Sequence, residues 1–268
     1  MSRLLMCPPD YYGIEYEINP WMRISNQSNG DRARSQWKTL TRVLENEVGA
    51  KLEFMDPVPG LPDLVFTANA GVLHDGKAVP SQFRHPERQR EERHFIGWFT
   101  KKGYEVITLD PEIDFEGAGD LLGFPEFWIG GYRQRSDIRA YDRLSKIFQK
   151  EILPVELVDP RFYHLDTCFC PLSGGELLYF PPAFDAYGQT VLTSRIEQDN
   201  RFAVPSQEGE RFACNAVCID RHVVLPTGCP DTMKWLGTQG YIPHPVELDE
   251  FLKAGGSAKC LPLTLALD

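Results

Sequence analysis

Apolar positions along this chain fall into two rhythms. In "DRARSQWKTLTRVLENEVG" the apolar or aromatic residues Trp37, Leu40, Val43, Leu44 and Val48 recur every three or four positions, which predicts an amphipathic helix over 31–49. The "KLEFM" that follows predicts a strand. From position 71 a longer grammar repeats: a short apolar strand, a second strand, a punctuating Gly, Pro or Arg, an amphipathic helix, then "GY" or a proline and another strand. One copy is "GVLHDGKAVPSQFRHPERQREERHFIGWFTKKGYEVITL" and the next is "DLLGFPEFWIGGYRQRSDIRAYDRLSKIFQKEILPVELV". A third begins at "CFCPLSGGELLYFPPAF", and a fourth is "CNAVCIDRHVVLPTGCPDTMKWLGTQGYIPHPVEL". The starts fall near 71, 121, 168 and 214, a step of about 46 to 50 residues, which lies in the range of repeat architectures.

A fifth unit can be assembled from the two ends. The N-terminal part supplies the helix and the strand "KLEFM", and "AKCLPLTLAL" supplies a strand that closes the ring. Units of this kind cannot bury their faces alone, so a closed or stacked α/β assembly is expected. No linker rich in Gly, Ser or Pro divides the chain, so residues 1–268 are read as one domain.

Charge narrows the partners. With 38 acidic against 28 basic side chains the net charge is -10, which gives no reason to bind nucleic acid or an anionic membrane and favours a small cationic substrate. "MSRLLMCPPDYYG" lacks the apolar run of a signal peptide, and nowhere do eighteen apolar residues follow one another. The seven cysteines are an odd number in a large chain, which fits reduced thiols and a cytoplasmic protein. Assembly state, monomer or homo-oligomer, is not written in the sequence.

One stretch concentrates reactive side chains: "YHLDTCFC", residues 163–170. It reads as a metal site, as a thiol nucleophile with its base, or as a buried strand. On a regular strand, period-two alternation would put His164, Asp166, Cys168 and Cys170 on one face. Neither Cys168-x-Cys170 nor the Cys214 and Cys218 pair has the two-residue knuckle spacing of common zinc sites, so no metal site is assigned. Cys168 stays open as a nucleophile.

The ordered set "GLPDLVFTANAG", "RHPERQREE", "FEGAGDLL", "GYRQRS", "YHLDTCFC" and "GGSAKC" resembles the guanidino-group-modifying enzymes. That superfamily includes arginine deiminase, dimethylarginine dimethylaminohydrolase, the amidinotransferases and arginine dihydrolase, and the resemblance covers about the whole chain. It implies a five-bladed α/β-propeller, the pentein fold, built of pseudo-repeats around a central active site. The chemistry explains the residue types. Resonance and positive charge blunt a guanidinium carbon toward water, so a thiolate and a covalent intermediate divide the work. Carboxylates match the planar N–H fork of the cation, and a histidine can protonate the leaving amine and then activate water.

The resemblance assigns Cys260 as the nucleophile, His164 as acid and base, and Glu116 as the acid that orients or contacts the histidine, with Asp120 in support. Asp63 and Asp166 would grip the guanidinium. Arg88 and Arg135 would bind the carboxylate of an amino-acid substrate, with Arg84 a fallback for the first. Asn19 and Asn69 would contact the α-amino group or the reacting end. Each residue also has a plainer reading. Cys260 precedes apolar "LPLTLAL" as a core cysteine would, Asp63 and Asn69 suit turns, Glu116 suits a solvated loop, and Arg88 lies in a charge run that normally marks a solvated helix face.

The segment "VFTANAG", with Asn69 where arginine deiminases and dimethylarginine hydrolases carry an acid, resembles arginine dihydrolase, which takes arginine to ornithine, ammonia and carbon dioxide. The sequence lacks the long C-terminal domain of some such proteins, a length compatible with a bare hydrolase and equally with a dimethylarginine hydrolase. The alternatives are a dimethylarginine hydrolase or a deiminase giving citrulline, then an amidinotransferase. The fold also serves a non-catalytic ribosome-binding factor, a reading the presence of both Cys260 and His164 opposes. None of these reactions requires a metal or a redox cofactor.

Overall fold

The computed structural model describes residues 2–266. Its chain order is β1 (Arg3–Met6), α1 (Gly30–Asn46), β2 (Lys51–Phe54), β3 (Gly71–His74), β4 (Lys77–Pro80), α2 (Pro86–Gln89), α3 (Glu92–Lys101) and β5 (Glu105–Val106). Then come β6 (Leu121–Gly123), β7 (Phe127–Tyr132), α4 (Arg139–Phe148), β8 (Glu151–Glu156), β9 (Phe169–Pro171), β10 (Leu177–Tyr179), α5 (Ala186–Arg195) and β11 (Arg201–Ala203). The chain finishes with α6 (Ser206–Gly209), β12 (Val217–Ile219), β13 (His222–Pro226), α7 (Pro230–Thr238), β14 (Ile242–Val246), α8 (Asp249–Leu252) and β15 (Leu263–Ala266).

These strands make five three-stranded sheets, the blades of a five-bladed α/β-propeller. Every blade has one plan: the middle strand pairs antiparallel with one neighbour and parallel with the other. An antiparallel pair needs only a tight turn, whereas a parallel pair needs a crossover, and the helix of each repeat is that crossover. Helix α1 shows why such segments are helical. Asn29 caps it by accepting from Arg32 N, Asp31 sits in its first turn, and Ala33, Leu40, Val43 and Leu44 are buried from one face.

The blade assembled from the two ends exists, but its middle strand is β1, which the apolar rhythm did not mark. Strand β1 pairs with β2 on one side and with β15 on the other, so residues at opposite ends of the chain share one sheet. The strand expected in "AKCLPLTLAL" runs from Leu263 to Ala266, and Leu267 lies outside the described residues.

The blades also share what precedes their first strand. Asp63 and Asn69 lie on short 3-10 turns before β3; Glu116 and Asp120 flank the turn before β6; His164 and Asp166 stand at the turn before β9. Asn215 comes two residues before β12, and Cys260 three before β15. Five separate blades thereby deliver polar side chains to one place.

Candidate active site

Local sequence fixes these approaches. Pro62 starts the 3-10 turn that carries Asp63. Gly119 has no room for a side chain: a Cβ there would come within 2.2 Å of Asn69 Nδ2 and 3.3 Å of the His164 ring. Its absence lets the turns of three blades meet.

His164, Glu116 and Arg135 form a buried triad. His164 Nε2 lies 2.7 Å from Glu116 Oε2, and Arg135 Nη1 donates to the same oxygen at 2.8 Å. Burial acts to raise Glu116, but Arg135 and His164 outweigh it and hold the carboxyl well below its usual range. His164 goes the other way: burial pulls it down to about 4 against the opposing pull of Glu116, so the ring is neutral near pH 7. The ionised Glu116 assigns the proton to Nε2, leaving Nδ1 with the lone pair.

Around Cys260 the polarity is reversed. The thiol lies 3.4 Å from Asp166 Oδ2 and receives Asn215 Nδ2 at 3.1 Å. Burial pushes Cys260 well above the ordinary thiol range and Asp166 adds to the push, while the Ser257 backbone and Asn215 oppose it. Asp166 is itself raised to about 6 by burial, opposed by Lys259, Cys260 and Asn215. Its Oδ1 is buried without a hydrogen-bond partner, and so is Oδ1 of Asp63. Burial likewise raises Asp63 against the pull of Arg88.

The arginines are committed to acids. Arg88 makes a two-pronged contact with Glu91, Nε to Oε1 at 3.0 Å and Nη2 to Oε2 at 2.8 Å, and donates from Nη1 to Asn69 Oδ1 at 3.0 Å. It stacks over Phe83 at 4.4 Å, and Arg135 over Tyr163 at 4.6 Å. Arg88 also comes within 3.9 Å of Asp63 Oδ2, so Arg88 and Arg135 face the four carboxyls of Glu91, Glu116, Asp63 and Asp166, and acid is in excess. The charge run around Arg88 is solvated at Glu87, Arg90 and Arg93, but Arg88 and Glu91 leave it and are both buried.

Asn19, Asp63, Asn69, Arg88, Arg135 and Cys260 line a common pocket. Asn19 stands at its edge and spends its side chain on backbone, Nδ2 donating to Ala254 O and Oδ1 accepting from Trp21 N. Arg135 Nη2 holds the same strap through Ile18 O at 3.1 Å. Arg84 is exposed and donates to the Arg133 carbonyl, reaching the site only through its backbone N–H to Glu116 Oε1. Asp120 supports from behind, accepting from Ser136 Oγ at 2.6 Å and Leu165 N at 3.0 Å.

The strand expected through 163–170 is a correction. His164 is extended, Leu165–Thr167 is a 3-10 turn, and only Phe169–Pro171 is strand, so period-two alternation does not govern the four side chains. His164 and Asp166 still enter the site, while Cys168 turns away into the apolar core with its thiol against Leu165 O at 3.5 Å. Cys170 lies likewise against Ala216 O at 3.4 Å. Among the described residues no group of three or more His, Cys, Asp or Glu is arranged to hold a metal, and no helix is long and apolar enough to cross a membrane. All seven cysteines are free thiols.

Sequence reading missed Asn215, Glu91 and Tyr163. Asn215 was legible only by analogy between blades, since it enters β12 two residues ahead of the strand much as Asp166 enters β9 three residues ahead. An acid-rich pocket with a thiol and a carboxylate-backed neutral histidine suits a planar cation that donates N–H groups.

Comparison with known proteins agrees with this chemistry. Residues 14–266 match the family described as N,N dimethylarginine dimethylhydrolase, eukaryotic. The chain is 44% identical over 97% of its length to the bifunctional arginine dihydrolase/ornithine cyclodeaminase ArgZ of Synechocystis sp., and spans 37% of that protein. It is 36% identical to the N(G),N(G)-dimethylarginine dimethylaminohydrolase of Mycobacterium tuberculosis, covering 98% of this chain and 85% of that one. Among solved structures, the N-terminal domain of ArgZ, a cysteine-to-serine mutant bound to substrate, superposes with a TM-score of 0.96 at 42% identity, covering 99% of this chain and 98% of that one.

Proposed function

This chain belongs to the dimethylarginine dimethylaminohydrolase family of guanidino-group-modifying enzymes, and from that premise we propose that it is a cysteine-dependent hydrolase of guanidino C–N bonds, namely an arginine dihydrolase. The observation that carries the proposal is the excess of buried acid: Asp63 and Asp166 each hold an unpartnered carboxylate oxygen in the region of Cys260. A guanidinium supplies the missing positive charge and the missing N–H donors together.

In this reading the cation seats between Asp63 and Asp166 and offsets the negative charge that keeps Cys260 protonated. The thiol proton passes to His164 Nδ1 as the thiolate attacks the guanidinium carbon, and Nδ1–H then gives it to the departing ammonia. His164, its Nε2–H held by Glu116, then takes a proton from water, which attacks the carbon and breaks the C–S bond. The ureido product remains, and a second round at the same carbon releases the second ammonia, then carbon dioxide and ornithine. Arg88, Arg135 and Asn19 line the same pocket as Cys260 and would hold the amino-acid end, sharing with it donors that now serve Glu91, Glu116 and the Ala254 carbonyl. Agmatine, which lacks the carboxylate, should therefore be a much poorer substrate than arginine.

Asn69 and the ArgZ relative favour arginine, while the family match and the mycobacterial relative favour a methylated arginine as the second reading. Incubation with arginine, dimethylarginine and citrulline separates them. Two ammonia and one ornithine per arginine support dihydrolysis; citrulline as end product refutes it; turnover of dimethylarginine alone selects the second reading. The same proposal has residues 1–268 acting as one domain, and the free thiols suit the reducing cytoplasm.

A further inference from the structure

Asn215 is wholly buried in the segment that enters β12. Its Oδ1 accepts three backbone N–H groups of the turn before β15: Ser257 at 3.1 Å, Lys259 at 3.0 Å and Cys260 at 3.3 Å. Those donors fix the amide orientation, because the reversed amide would set NH2 hydrogens against three N–H groups and its oxygen against a carbonyl. Nδ2 is consequently aimed at the Asp166 carbonyl, 3.0 Å away, and at Cys260 Sγ, 3.1 Å away. One side chain thus ties the nucleophile's turn, the turn of the substrate-gripping acid and the sulfur itself.

The geometry points to Asn215 as a further catalytic residue, whose carboxamide N–H stabilises the Cys260 thiolate before attack and again when the C–S bond breaks. This deepens the hydrolase reading above and rests on it. Both groups that meet the thiol besides backbone are Asp166 Oδ2, which accepts its proton, and Asn215 Nδ2, which can only donate to it. Burial and Asp166 both disfavour the thiolate, and the Asn215 N–H at 3.1 Å opposes them because a donor binds an anionic sulfur more strongly than a neutral one. The sulfur gains and loses negative charge twice per reaction, while the hydrogen bond is already in place and needs no reorganisation.

The test uses N215D, which keeps an oxygen for the three backbone donors and removes the donor at sulfur. Iodoacetamide is the probe, with alkylation of Cys260 followed by peptide mass spectrometry from pH 6 to 10. In folded N215D the alkylation rate at pH 7.5 should fall at least about tenfold and its pH midpoint should move up, as expected for one lost hydrogen bond to a charge. A profile that superposes on the wild type overturns the proposal. Should N215D fail to fold, the wild type decides: with 15N-asparagine labelling, one side-chain amide should shift as Cys260 titrates, and this shift should vanish in C260S. An amide that ignores the titration overturns the proposal as well. Neither readout uses substrate, so a wild type inactive on every guanidino compound would sink the hydrolase reading and leave these results interpretable.

Discussion

Cys168 and Cys260 are two thiols in nearly the same burial, 0% and 3% exposed, and burial pushes both well above the ordinary thiol range. Their neighbours separate them. The Cys168 thiol faces the carbonyl oxygens of Leu165 and His164 and the Thr167 hydroxyl, with no side-chain carboxylate or amide of the described residues against it, and packs in the apolar core. The Cys260 thiol faces a carboxylate that accepts its proton, an amide that supports its anion, and a pocket open to a cation. Burial alone therefore makes a cysteine inert, and what makes one reactive is a set of partners that compensate the charge it must acquire.

Substitutions can break that contrast. The largest effect is expected at the nucleophile: Cys260→Ala should reduce ammonia release from arginine by at least about 10^3-fold, because no other group takes over covalent attack. Glu116→Gln keeps the shape beside His164 but removes the charge; kcat should drop about 10^2-fold, and a variant within threefold of wild type would exclude Glu116 from orienting the base. The unliganded thiol lies above its usual range and His164 is neutral, so kcat/KM for arginine should climb from pH 7 to 9. A flat profile over that interval would mean that Cys260 is already ionised in the free protein.

Asp166→Asn gives a stability reading with a definite sign. Burial lifts the folded carboxyl to about 6, above its ordinary value of about 3.9, so its contribution is fully present below the lower value and lost as pH rises through the upper one. The substitution should therefore look better at pH 8 than at pH 4, by up to about 3 kcal/mol in denaturant unfolding, even as arginine turnover is lost. Equal stability changes at the two pH values would contradict that charge balance. Smallest of all is Cys168→Ala, which should leave kcat/KM within about threefold while costing roughly 1–2 kcal/mol for the small cavity.

Much of this was legible because the blades repeat. Alternating strand and helix signals exposed four units, and of the residues picked for their chemistry Asp63, Asn69, Arg88, Arg135 and Cys260 line one pocket, with Glu116 and Asp166 bonded to Arg135 and Cys260. Strand β1 escaped because four residues carry too little periodicity and its partners lie some 50 and 260 positions away in the chain. "YHLDTCFC" was read with the wrong period, since a 3-10 turn interrupts the strand, although His164 and Asp166 were still chosen for their chemistry. Asn215 went unnoticed in "CNAVC" because a single amide in an apolar stretch has no signature until its five contacts are seen. Arg88 shows the converse: within a charge run that is otherwise largely exposed, one cation is buried because it meets a matching acid, Glu91.

The joining of β1 to β15 has a consequence for biosynthesis. As the chain leaves the ribosome, Asp63, Glu116, His164, Asp166 and Asn215 emerge in that order, and the blade containing Arg3–Met6 waits for Leu263–Ala266. Nascent chains thus hold their acids and histidine well before they hold a placed thiol, and long-range closure of this kind is slow. Cys260 comes into register only when the two ends pair, so a chain whose last blade is still open has no thiol placed at the pocket.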